Sequence, residues 1–117
     1  MTEQVTIRVF EVVGTSLCVA SDDGQKVHDQ IAVALREGRT VQLSFLNVES
    51  ITSAFLNATI GQLYGEFSEN KIKEGLSVSD IEQDDLLLIK RVVETAKEYF
   101  KDSGRIKQAR KEVLGEK

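Results

Sequence analysis

The 117-residue chain contains no proline, while 41% of its residues are hydrophobic and 29% charged. That balance excludes a disordered linker and leaves an ordinary globular chain. The single cysteine, Cys18, excludes an internal disulfide. The single histidine, His28, stands ten residues from Cys18, and one of each cannot supply the three or four ligands of a metal site. Seven aromatic residues are present, without the aromatic-basic motif of an RNA reader. No apolar run approaches the roughly 18 to 20 residues that span a bilayer. Phosphate loops of the GxxxxGKS or GxGxxG kind are missing, which removes support for independent nucleotide hydrolysis. With no basic region leading into an apolar cleavable segment, the expected compartment is reducing and cytoplasmic.

Charge is distributed unevenly. Residues 1–102 carry 10 Lys/Arg against 17 Asp/Glu, and residues 103–117 carry 5 against 2, within a net charge of −4. An acidic body repels phosphate backbones, so nucleic acid is not the expected partner. The length suits one domain, here residues 1–102, followed by a charged C-terminal helix or tail at 103–117.

Hydrophobic periodicity outlines the fold. Val5-Thr6-Ile7-Arg8-Val9-Phe10 alternates with period two and predicts a strand continuing to Val13. Gly14-Thr15 offers a hairpin turn into a short second strand, Leu17-Cys18-Val19. Ser21-Asp22-Asp23-Gly24 supplies N-cap chemistry for a helix at 22–37, with Val27, Ile31, Ala34 and Leu35 inward and Gly38 as its stop. Val41-Gln42-Leu43-Ser44-Phe45 alternates again, as a central strand. From Thr52 the period changes to that of a helix, with Leu56, Ile60, Leu63, Tyr64 and Phe67 on one stripe. Lys71 to Gly75 reads as a polar loop, Leu76-Ser77-Val78 as a strand, and Ser79 with Glu82 as the capping box of a long helix that Ser103-Gly104 stops. The predicted fold is α/β: a small mixed four-stranded sheet with three main helices, in the order ββαβαβα. Strands joined by helical crossovers are expected to run parallel, with helices covering mainly one face.

The turn between the strand ending at Phe45 and the next helix reads Asn47-Val48-Glu49-Ser50-Ile51-Thr52-Ser53. It lies at the carboxyl end of a strand, where open α/β sheets bind ligands. A helix N-terminus favours an anion, so a phosphate on Ser53 or Thr52 would be partly stabilised there; equally, Ser50, Thr52 or Ser53 caps the helix. Elsewhere, His28 reads as a solvated surface residue and Cys18 as a small core residue. Gly61 and Gly65 permit close backbone approach, in tight packing on the sheet or in a dimer contact. Asp84 and Asp85 complement a helix dipole rather than hold a metal.

The run Leu43-Ser44-Phe45, with Val48, Ile51, Ser53-Ala54-Phe55 and Gly61, resembles the STAS-like family of unknown function, small bacterial relatives of the sulfate transporter and anti-sigma factor antagonist domain. The resemblance covers roughly residues 5 to 100. It implies a non-catalytic signalling module that docks on a protein partner, of the histidine-kinase-type ATPase class, and needs no cofactor. The partner would meet Asn47, Glu49, Ser50, Thr52, Ser53 and Leu56. Anti-sigma factor antagonists carry a phosphorylatable serine after an aspartate at this helix start, and that serine would fall on Ser53, with Thr52 as second candidate phosphoacceptor. Here Thr52 replaces the aspartate, no glycine follows Ser53, and Ser44 stands where STAS-like members often carry an aspartate.

Two other classes remain open. A small ligand-binding protein or hydrolase would use Ser53 as nucleophile or anion contact, with His28 or Glu49 as the only bases in view. A structural subunit would form a homodimer through the second helix.

Overall fold

A computed structural model describes residues 3–114, with side chains described through Lys101. Strand β1 (Gln4–Arg8) follows its alternation: Ile7 is buried and Val5 half-buried, while Gln4, Thr6 and Arg8 are exposed. The strand does not continue to Val13. Val9–Val13 instead forms a short helix, α1. Val9, Val12 and Val13 stand at i, i+3 and i+4 and all pack on the core, so burial outweighs the strand preference of β-branched residues. Gly14, at φ 85°, closes this helix by donating its N–H to Phe10 O at 2.8 Å. The left-handed conformation expected at Gly14 is present, but it ends a helix and does not make a hairpin.

With α1 inserted, β2 (Leu17–Cys18) leaves the main sheet. Helix α2 (Ser21–Arg36) follows, with Ala20 at the N-cap and no side-chain cap; Asp22 and Asp23 in the first turn complement the dipole instead. Its buried stripe contains Val27, Ile31, Ala34 and Leu35, as the spacing requires. Strand β3 (Thr40–Ser44) is central, with Val41 and Leu43 almost fully buried. Strand β4 (Ser50–Ile51) leads into helix α3 (Ser53–Thr59). The single second helix expected here is divided. A 3-10 turn at Gly61–Gly65 follows α3, yet Leu56, Ile60 and Leu63 stay on one buried stripe. Two glycines with low helix propensity account for the break, and a Cβ on Gly65 would overlap the Phe100 ring.

The expected polar loop at Lys71 to Gly75 is helical. Helix α4 (Glu69–Gly75) is capped by Ser68, whose Oγ accepts from Lys71 N at 3.2 Å, and anchored by buried Ile72. Strand β5 (Leu76–Ser79) precedes α5 (Gln83–Leu114), which runs through Ser103-Gly104 without stopping. The side chains of the charged segment at 103–117 lie outside the described residues.

The four-stranded mixed sheet with three helices is therefore replaced by two parallel sheets, of order β1-β3-β5 and β2-β4, and five α-helices among the described residues. In the larger sheet Val5, Val41 and Leu76 are in register, as are Ile7, Leu43 and Val78. These two apolar rows join the core beneath the helices. The alternate row, Thr6, Gln42 and Ser77, is polar, with Thr6 and Ser77 exposed. Each fully buried aliphatic side chain contributes about 1.5–3 kcal/mol, so the covered face carries most of the stability.

Helix α3 is held by α2 at one close approach. A Cβ on Gly24 would lie 2.5 Å from Phe55 O and 2.9 Å from Ala58 Cβ. Thr59 Oγ1 lies 2.9 Å from Phe55 O and 3.2 Å from Gly24 O, its hydroxyl hydrogen shared between the two carbonyls. This contact fixes α3, and with it the turn that precedes Ser53.

Candidate partner-docking site

The turn after β3 is bonded to β2. Ser16 O accepts from both Glu49 N (2.9 Å) and Ser50 N (3.2 Å), and Ser16 Oγ donates to Glu49 Oε2 at 2.6 Å. The β2-β4 pairing sets Leu17 opposite Ser50 and Cys18 opposite Ile51. Asn47 takes a left-handed conformation at φ 68°, one that Asn tolerates better than most residues, and so bends the chain out of β3. Together these contacts make residues 46–53 and β2 one stapled unit.

Thr52 is the cap. Its Oγ1 accepts from Phe55 N at 3.2 Å and donates to Val19 O at 2.7 Å, so the hydroxyl is used in both directions. Ser53, one residue into α3, is exposed and enters no side-chain hydrogen bond among the described residues. Asn47, Glu49 and Ser50 are exposed as well. Leu56 is different: it is fully buried in the core, so its side chain offers nothing to a partner. The helical spacing that drew attention to Leu56 marks its inward face.

Apolar residues that the sequence reading passed over are exposed on the same unit. Leu17 is 51% exposed, Val19 44% and Leu46 50%. Period two carried the signal: with Cys18 inward, Leu17 and Val19 must face out. Cys18 is fully buried, and burial, aided by Asp23, pushes its thiol up to about 11. At the carboxyl end of β3, Ser44 is buried and donates to Asp80 Oδ2 at 2.7 Å, while accepting from Leu46 N. Asp80, at φ 56°, brings a carboxylate from just beyond the end of β5 to the carboxyl end of β3.

His28 is buried, not solvated, because it faces the 3-10 turn from the inner side of α2. Its Nε2 lies 2.6 Å from Glu66 Oε1, and its Nδ1 lies 3.1 Å from both Gln25 Nε2 and Asp29 Oδ1. Gln25 Nε2 also donates to Asp29 Oδ1 at 2.9 Å, and this bond, with that of His28, holds the Asp29 carboxyl below its ordinary range. Among the described residues no group of three or more His, Cys, Asp or Glu is placed to hold a metal ion, and no helix is long and apolar enough to cross a membrane.

The fold and turn define a small α/β module with a central parallel sheet, presenting a stapled loop beyond the carboxyl end of its middle strand. A family model described as a STAS-like domain of unknown function matches residues 23–86, and the chain belongs to that family. No curated protein and no solved structure matches the chain.

Proposed function

We propose that this STAS-like domain is a non-catalytic regulatory module that binds a protein partner through the β2 and 46–53 unit. The observation that carries the reading is the set of Leu17, Val19 and Leu46, exposed on backbone that hydrogen bonds hold in place. Apolar side chains on a preorganised surface lose little entropy on docking, which is how a contact patch gains affinity. Asn47, Glu49, Ser50 and Ser53 supply its polar rim.

Between the two candidate phosphoacceptors, Ser53 is favoured. Its hydroxyl is exposed, whereas phosphorylating Thr52 would break the cap and the bond to Val19 O. A phosphate at Ser53 would add charge next to the Thr52–Val19 contact and oppose apolar docking there. A histidine-kinase-type ATPase, the partner class implied by the family resemblance, would act as both kinase and binding partner. The hydrolase alternative has weaker support, because His28 Nε2 is engaged by Glu66 and Glu49 by Ser16 rather than by Ser53.

The test mixes the purified chain with such an ATPase and ATP. A phosphate-sized mass gain within residues 50–53, and binding that Ser53→Asp weakens and Ser53→Ala preserves, support the switch. Equal binding by the two variants removes the switch, and undiminished binding by Leu17→Asp with Val19→Asp removes the docking surface.

A further inference from the structure

The larger sheet ends at β1, whose outer edge has no strand neighbour among the described residues. Edge strands are commonly guarded by proline, by bulges or by charges within the strand. The interior of β1, Val5-Thr6-Ile7, carries none of these, and its register with β3 is unbroken. Alongside this edge, between β1 and α2, runs a groove of about 370 Å³ whose apolar lining is Val5, Ile7, Val33 and Ala34. Val33 is 52% exposed, although its helix neighbours Ala32 and Ala34 are buried.

The rim of the groove is acidic. Asp29 and Glu37 stand along it, and the one cation in its lining, Arg39, already meets Glu37 Oε1 and Glu3 Oε2 at 3.4 Å each. Its charge is thus offset by two carboxylates, and Asp29, whose neighbours His28 and Arg36 lie outside the groove lining, adds further negative charge to the rim. Hydrogen bonds from Gln25 and His28 keep the Asp29 carboxyl ionised. An apolar floor, an acidic rim and a free row of backbone groups are complementary to one kind of chain: extended, apolar at alternate positions and basic between them.

We propose that the β1-α2 groove is a second docking site, in which a basic, alternately apolar segment of a partner protein adds to β1 as a fourth strand. Its backbone pairs with the edge of β1, its apolar side chains enter the groove beside Val33, and its Lys or Arg side chains meet Asp29 and Glu37. The site shares no residue with the β2 and 46–53 unit and does not depend on the function proposed for it.

The probe is a fluorescein-labelled peptide of alternating Lys and Val, titrated with the full chain and read by fluorescence anisotropy. Saturable binding is expected, weakened roughly tenfold or more by Val33→Asp and by Asp29→Lys with Glu37→Lys. All three positions are exposed, and circular dichroism confirms that the variants fold. A peptide with N-methyl groups at alternate amides keeps its charge but cannot pair as a strand, and it should bind as weakly as the variants do. Failure to saturate, equal binding of the N-methylated peptide, or equal binding of a Glu-Val counterpart overturns the proposal. So does concentration-dependent dimerisation in light scattering that Val33→Asp abolishes, which would assign the groove to a second copy of the chain.

Discussion

Gly24→Ala tests the packing that positions the docking turn. The added Cβ would meet Phe55 O at 2.5 Å, Ala58 Cβ at 2.9 Å and Thr59 Oγ1 at 3.0 Å. The first of these is backbone, so no rotamer change relieves it, and α3 must move away from α2. Overpacking of this kind costs about 1–3 kcal/mol. Alanine's better helix propensity offsets up to about 1 kcal/mol, and less near a helix start. A net loss of about 1–2 kcal/mol corresponds to a Tm lower by roughly 3–12 °C in a domain of this size. Gly61→Ala is the internal control, since its Cβ would meet nothing closer than Asn57 Oδ1 at 3.4 Å. Thermal and urea unfolding followed by circular dichroism should show Gly24→Ala destabilised and Gly61→Ala unchanged or slightly more stable. If Gly24→Ala melts at or above the parent, or if both variants fall together, the α2-α3 contact is not the constraint described.

Thr52→Ala should cost about 1–2 kcal/mol in urea unfolding through loss of the cap and of the bond to Val19 O, while Ser53→Ala should stay within about 0.5 kcal/mol of the parent. His28→Ala leaves Glu66 and Gln25 without their buried partner and opens space in the α2 packing, so a loss of about 2–3 kcal/mol is expected in the same assay. Cys18 should resist a thiol reagent in the native chain at pH 8 and react at once in denaturant, and fast native labelling would refute its burial. Because its thiol ionises at about 11 when folded against 9.0 otherwise, ionisation between these values favours the unfolded chain. Stability should therefore decline as pH rises through that window, and a Cys18→Ala variant should lack this component.

Period and polarity made the long elements legible. Ile31, Leu43, Ile60 and Leu63 are buried where helical or alternating spacing puts them, and helical crossovers imply the parallel pairing. Segments with two readings were not legible. Val9–Val13 satisfies a strand by propensity and a helix by spacing, and only packing against the core decides it. The two-residue strand β4 has no periodic signature, and its pairing with β2 exists because backbone groups of Ser16, Cys18, Glu49 and Thr52 meet across a distance in sequence. Within the turn, hydroxyl chemistry identified the capping region but not which hydroxyl caps. The answer depends on Val19 O as second partner for Thr52, a contact supplied by the tertiary fold. His28 was misread because a charged neighbour such as Asp29 suggests an exposed face, while its partner Glu66 is 38 residues away.

Every strand pairing joins segments far apart in the chain: Gln4 with Thr40, Leu17 with Ser50, and Val41 with Leu76. Among the described residues no hairpin exists from which a sheet could grow outward from its own turn, and each pairing must close a loop of roughly 35 residues. Each of these loops contains helix: α2 lies between β1 and β3 and between β2 and β4, and α3 and α4 lie between β3 and β5. The helices therefore act as folding intermediaries, shortening the separations that strands must cross before any ladder forms. If α2 docks on α3 before the ladders form, Gly24→Ala should slow refolding as well as lower stability, and a change confined to the unfolding rate would place that contact after the sheet.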